Sequence, residues 1–190
     1  MAILQIDGQD LQWLCKDGVV FAPPVDLPAL HTLLAQRHAL PRIFWQEADD
    51  PQRLTKEYCC AYFERHPAFC ICDTQTTHPQ IDGLLWLDSY VPNWSAHIGL
   101  WFRFKRRGPF ARAMSARFFE WLFMARGLQT LWGVTPWHDT LHYGLALGAE
   151  KPPLVLPGYA KIDGQPRDVF VLRLSRTTWM AQREKALYAV

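Results

Sequence analysis

Three basic residues in a row, Lys105, Arg106 and Arg107, lead through Gly108-Pro109 into a stretch, Phe110 to Phe123, whose apolar residues recur at helical spacing. The preceding "SAHIGLWFRF" alternates as a strand does. A strand that turns through a glycine into a helix leaves the helix's first N–H groups unpaired, and the helix dipole adds partial positive charge there. Such an end accepts an anion. Lys105, Arg106 and Arg107 before it and Arg112 one turn inside could neutralise several phosphates within a small radius. A solvated basic turn ahead of a core helix is the other reading of the same residues. No G-x-x-x-x-G-K-[ST] or G-x-G-x-x-G pattern occurs, which excludes a Walker loop and a dinucleotide fingerprint.

Proton-transfer groups lie nearby in the sequence. His97 sits on the strand before the basic turn, and a free imidazole titrates near neutrality, as a general base for an amine requires. It reads equally as a strand residue hydrogen-bonded to its neighbours. His138 and His142 are four residues apart, a spacing that can hold a metal, but no Glu stands between them as in H-E-x-x-H, so no metal site is expected. Trp94 in "PNWS" and Trp137 in "TPWH" fall in loops, where an indole either lines a groove or packs on the adjacent proline. The five cysteines, 15, 59, 60, 70 and 72, form no C-x-x-C pair; Cys70 and Cys72 share a strand face and read as small core residues. No G-x-S-x-G elbow is present.

The elements that must position these groups are legible in outline. With 190 residues, 49% of them hydrophobic and 20% charged, the chain can bury one full core. A net charge of +2 is too small to argue for nucleic acid, and no apolar stretch is long enough to span a bilayer. The start lacks the apolar core of a signal peptide, so a reducing cytoplasm is the expected setting. Two Asp-Gly pairs between apolar runs predict a short β extension over residues 1–24. Helices are predicted over residues 25–41, with Asp26 as N-cap and Pro41 as stop, and over residues 51–67. "AFCICD", "IDGLLWLDSYV" and "NWSAHIGLWFRF" predict a meander turning at Pro92-Asn93. The helix after Gly108 carries Phe110, Met114, Phe118, Trp121, Leu122 and Ala125 on one stripe. A strand, a short helix ended by Gly148, a hairpin turning at Asp163-Gly164 and a tail over residues 177–190 read as a small terminal helix complete one α/β domain spanning residues 1–190.

This order, with its motifs, resembles the Gcn5-related N-acetyltransferase superfamily from about Val25 to Arg176. Lys105-Arg106-Arg107-Gly108-Pro109-Phe110-Ala111 is similar to the family's Q/R-x-x-G-x-G/A loop, with Phe110 where a second small residue is expected and Pro109 lacking an N–H. "SAHIGLWFRF" resembles the family's fourth strand, with His97 where a Glu is frequent. "TPWHDTLHYGLALGAE" is similar to the family's N-x-x-A-x-x-x-Y-x-x-x-G-F segment, with Tyr143 one residue early and Gly144 in its place.

The resemblance implies a mixed, mostly antiparallel sheet flanked by helices and acetyl-coenzyme A as acyl donor. Donor-binding residues would be Trp101, Phe102, Arg103, Lys105, Arg106, Arg107, Gly108, Pro109, Phe110, Ala111 and Arg112. It further implies His97 as base, Tyr143 as acid, an unidentified amine approached by Trp94, Trp137 and His138, and no nucleic-acid or membrane partner. The departures leave a second expectation beside the first: a catalytically silent binding or assembly protein on the same fold, of the kind some phages encode. A homodimer or a macromolecular partner is compatible with either.

Overall fold

The computed structural model describes residue 10 and residues 13–15, 17–75, 80–106 and 108–188, with the side chains of residues 51, 104 and 184–188 outside the description. The strands are β1 (Val19–Ala22), β2 (Ala68–Asp73), β3 (Ile81–Val91), β4 (Ser95–Phe102), β5 (Thr130–Thr135), β6 (Leu154–Ile162) and β7 (Gln165–Ser175). The helices are α1 (Leu27–Gln36), α2 (Leu40–Ile43), α3 (Lys56–Arg65), α4 (Pro109–Met124), α5 (His138–Ala146) and α6 (Arg176–Tyr188). One sheet runs β1-β2-β3-β4-β5-β7-β6, antiparallel at every step except β4 to β5. This is the α/β class and the mixed, mostly antiparallel sheet read from the sequence.

Both faces of the central strands are covered, which explains their continuous apolar runs. Ala68, Cys70, Leu84 and Trp86 pack towards α1 and α3, and Phe69, Ile71, Leu85 and Leu87 pack towards α4. Trp121 and Phe118 of α4 anchor the second layer. Both are fully buried, and their rings meet that of Phe69 at 5.5 and 5.2 Å. The indole N–H of Trp121 donates to Asp10 at 2.9 Å, so the N-terminal segment is tied to the same core.

Several boundaries differ from expectation. Asp10, Trp13 and Leu14 are helical where a strand is predicted, because the buried Leu14 and the Asp10 carboxylate meet α4 instead of pairing along a sheet edge. The Asp7-Gly8 turn lies outside the described residues. The second Asp-Gly pair does turn, with φ of 55° at Asp17 and 73° at Gly18, and delivers β1 to β2.

Asp26 caps α1 as predicted, accepting from the Ala29 N–H at 2.8 Å, but the helix ends at Gln36. Pro41 begins α2, where a missing N–H costs nothing. Residues 51–53 form a separate 3₁₀ turn, and α3 starts only after Thr55, whose hydroxyl accepts from the Tyr58 N–H. On α4 Ala125 is exposed, whereas Ala111, Ser115, Phe119 and Phe123 join the buried set. For Phe119 and Phe123 the reason is α6: the tail, read as a small terminal helix, forms one and places Trp179 against them at 6.0 and 6.2 Å.

Phe118→Ala should cost about 3–5 kcal/mol, the usual penalty for emptying a fully enclosed aromatic site. Urea unfolding would show it as a lowered midpoint; a loss below about 1 kcal/mol would mean that α4 is not the keystone of the second layer.

Candidate functional site

The parallel pair β4–β5 is short. Ser95, Ala96 and His97 register with Thr130, Leu131 and Trp132, and there the pairing stops. Beyond it, residues 98–102 of β4 and 133–135 of β5 part, and a cleft opens between them. Trp45, Trp86, Asp88, His97, Trp132 and Trp137 are on its wall. A second chamber adjoins it, sharing Arg42, Leu100, Thr140 and Tyr143 and reaching Trp101, Phe102 and Ala111 at the start of α4.

At one end of the cleft is a carboxylate that sequence reasoning missed. Strand β3 carries a bulge: Leu87 registers with Ile98 and Ser89 with His97, which leaves Asp88 as the extra residue. A bulge re-aims side chains, and here it sets Asp88 Oδ2 3.1 Å from His97 Nδ1. Tyr62 of α3 donates its hydroxyl to the other oxygen, and Tyr62 in turn accepts from the Trp86 indole at 3.1 Å. His66 Nδ1 lies 3.9 Å from Asp88 Oδ1. Burial favours the neutral acid, but hydrogen bonds from His97 and Tyr62 outweigh it, so the Asp88 carboxyl is held below the ordinary carboxylate range. Burial and the neighbouring Asp88 charge push the Tyr62 phenol well upward, so it stays a donor. With Nδ1–H given to Asp88, His97 keeps its lone pair on Nε2.

Tyr143 stands at the junction of the two chambers. Its hydroxyl is 3.1 Å from Ser115 Oγ of α4. Burial pushes the phenol up to about 12, against the opposing effects of the Ser115 hydrogen bond and the Arg112 charge. The one-residue offset noted in the sequence therefore does not remove this side chain from the cleft. Gly144 next to it packs directly against Leu172.

Charges in the basic turn are arranged differently from a fully open cationic loop. Arg106 pairs with Asp73 at 2.6 Å and with the buried Asp82 at 3.3 Å, and its guanidinium lies 4.7 Å above the Phe110 ring. Arg103 also turns to Asp82, at 3.3 Å. Lys105 and Arg112 are exposed, as is Pro109, and Arg107 lies outside the described residues. Gly108 precedes α4 with φ 90°, and no side chain caps the helix. A Cβ at Gly108 would meet no atom within 4 Å, so the approach to the helix start is open.

Of the residues expected at an acceptor, Trp137 is in the cleft wall, with its indole N–H donating to the Arg42 carbonyl at 3.4 Å and the Arg42 guanidinium 5.0 Å from its ring. His138 is exposed, its ring 5.0 Å from that of Phe170, and Trp94 is 64% exposed in the β3–β4 turn; neither is on the wall of either chamber. The unforeseen members besides Asp88 are Tyr62, Arg42, Trp45 and Trp86. An acid inside the apolar run "LLWLDSYV" was the available signal for Asp88; Tyr62 and Arg42 carried none.

No protein-family model matches the sequence, and no curated protein matches it significantly. Solved structures do match. The spermidine N-acetyltransferase of Vibrio cholerae in complex with CoA and spermine superposes with a TM-score of 0.66 at 18% identity, over 86% of this chain and 98% of that one. The ribosomal-protein-S5-alanine acetyltransferase of Vibrio fischeri gives 0.60 at 17% identity, over 86% and 96%. The fold is that of the Gcn5-related N-acetyltransferases. Among the described residues no helix is long and apolar enough to cross a membrane.

The Asp88 network predicts a pH signature. A carboxyl whose folded value lies below its unfolded 3.8 stabilises the fold above that pH, and this contribution is lost as pH falls through the folded value. The urea midpoint of the native chain should therefore fall more steeply on acidification from about pH 5 to about pH 3 than that of Asp88→Asn. Parallel curves would show that the carboxylate gains nothing from His97 and Tyr62.

Proposed function

We propose that the protein is an acetyl-coenzyme A-dependent N-acetyltransferase in which an amine attacks the thioester directly within a ternary complex. The observation that carries this reading is the pair of adjoining chambers at the β4–β5 splay, with Ala111 in the first turn of α4 on one, the Asp88–His97 pair on the other and Tyr143 on the wall of both. Two N-acetyltransferases share the fold, and one of them was solved with CoA and a polyamine.

The residues present fit such a donor. Unpaired N–H groups at the start of α4, with Lys105 and Arg112 beside them, suit phosphates, while Leu100, Trp101, Phe102 and Ala111 form one wall of the adjoining chamber. Because Arg106 is already paired with two carboxylates, the phosphate charge falls chiefly on Lys105 and Arg112. Bound there, acetyl-coenzyme A would supply the activated acetyl group. Strand N–H groups of Gly99 to Trp101, past the end of the β5 pairing, suit the role of polarising a carbonyl.

At the other end His97 takes the ammonium proton on Nε2, and Asp88 holds the ring's orientation and stabilises the imidazolium that forms. Tyr143, with its phenol raised to about 12, is protonated throughout the neutral range and is a donor for the departing sulfur.

Calorimetric titration with acetyl-coenzyme A should show micromolar binding, weakened about tenfold or more in Lys105→Ala/Arg112→Ala. No binding at millimolar ligand would sink the enzyme reading and leave a silent binding protein on this fold. Given binding, Tyr143→Phe should lower kcat about 10²-fold with donor affinity retained. His97→Gln should lose most of the activity with donor affinity retained; full activity in that variant would remove His97 from the base role.

A further inference from the structure

The chamber beside His97 has a composition that selects among amines. Four indoles, Trp45, Trp86, Trp132 and Trp137, stand on its wall. Two of them, Trp86 and Trp137, are pinned. Trp86 donates to Tyr62, and its ring lies so close over Gly99 that any side chain there would overlap it. Trp137 is fixed by the Arg42 carbonyl and stacked under that guanidinium, and Trp132 has the Arg173 guanidinium 5.8 Å from its ring centre. Rigid indole faces favour a flat or compact apolar body and attract a cation at close range.

Charge points the same way. Among the described residues on the wall of this chamber, Asp88 is the single carboxylate, and both its oxygens already face His97 and Tyr62. Two arginines, Arg42 and Arg173, are on the same wall. They pair with Asp139 at 2.6 Å and Glu150 at 3.3 Å, so those acids are spoken for as well. A second or third ammonium group would meet guanidinium where it needs carboxylate, and an acceptor's own carboxylate would have to displace Asp139 or Glu150.

We propose that the acceptor is a primary monoamine on an aromatic or compact apolar body, seated between the indoles with its nitrogen at His97 Nε2, and that polyamines are disfavoured. This rests on the acetyl-transfer reading for its chemistry. In the reaction a nitrogen–carbon bond forms and the carbon–sulfur bond of the thioester breaks. Of the two protons the ammonium gives up, one leaves through His97 to solvent, and the other is balanced by the proton that reaches sulfur from the Tyr143 side.

Calorimetry of the full chain with 2-phenylethylamine and with spermidine, without donor, tests the pocket independently of catalysis; initial rates with acetyl-coenzyme A then test the reaction. The expected result is tighter binding of 2-phenylethylamine, and a kcat/KM at least about tenfold above that for spermidine. Trp132→Ala should raise KM for the monoamine about tenfold with unchanged affinity for acetyl-coenzyme A; Trp132→Phe should restore it. Preference for spermidine, or turnover of a peptide N-terminus without turnover of any monoamine, would overturn the proposal. Monoamine binding that Trp132→Ala weakens, in a chain that does not bind acetyl-coenzyme A, would uphold the pocket and overturn the acetyl-transfer reading instead.

Discussion

Two parallel strands that share three residue pairs and then separate set the conditions for everything else in this molecule. A backbone that loses its ladder partner in the interior must satisfy its polar groups elsewhere. Strand β4 keeps β3 as partner along its whole length, from Ser95 to Phe102, so its rigidity survives on one side while the other side is open. Such a half-paired strand is a fixed rail with unused donors, an arrangement suited to an extended polar ligand. Trp86, the β3 partner of Gly99, lies over it from one face, and after β5 the chain leaves through Pro136 into α5.

The same splay separates two kinds of charge. At the helix end, Asp73 and Asp82 take up Arg103 and Arg106, converting half of an apparently cationic turn into a bracket that ties the loop to β2 and β3. At the opposite end, Asp88 meets no arginine and instead organises an imidazole and a phenol. A carboxylate satisfied by a strong cation is structural. One held by an imidazole and a phenol stays outside that bracket and on the wall of the cleft.

Much of the scaffold was legible because its signals are local. Asp26 before an apolar period, Pro92-Asn93 between two strands and Asp163-Gly164 in a hairpin each act within a few residues, and each turned where expected. Gly108 before the apolar stripe of α4 likewise marked the helix start. The failures were tertiary. Pro41 reads as a stop or a start depending on whether the residues after it continue as a helix, and the helical Asp10 answers to Trp121, 111 residues distant in sequence. In the basic turn, nothing in "KRRGPF" announces that Arg106 belongs to Asp73 and Asp82, because the partners come from other strands. Asp88 was the largest omission: a bulge leaves no compositional mark, and simple alternation from Trp86 gives the residue's parity but not its reach to His97.

The bulge also bears on how the His97 site tolerates change. A regular β3 would set residue 88 opposite a single β4 neighbour and bind the register of the two strands to the position of the carboxylate. With the extra residue, Leu87 and Ile98 keep the apolar register on one side of the defect, and Ser89 and His97 keep it on the other. The carboxylate is thus held by side-chain partners, Tyr62 from α3 and His97 from β4, instead of by the ladder. Its placement depends on the α3 layer as much as on the sheet, and Tyr62 is the point where the two meet: its ring packs against Phe44 and Phe63 at 4.9 and 5.2 Å while its hydroxyl reaches Asp88. Packing in the first helical layer therefore bears, through Tyr62 and Asp88, on where the imidazole sits.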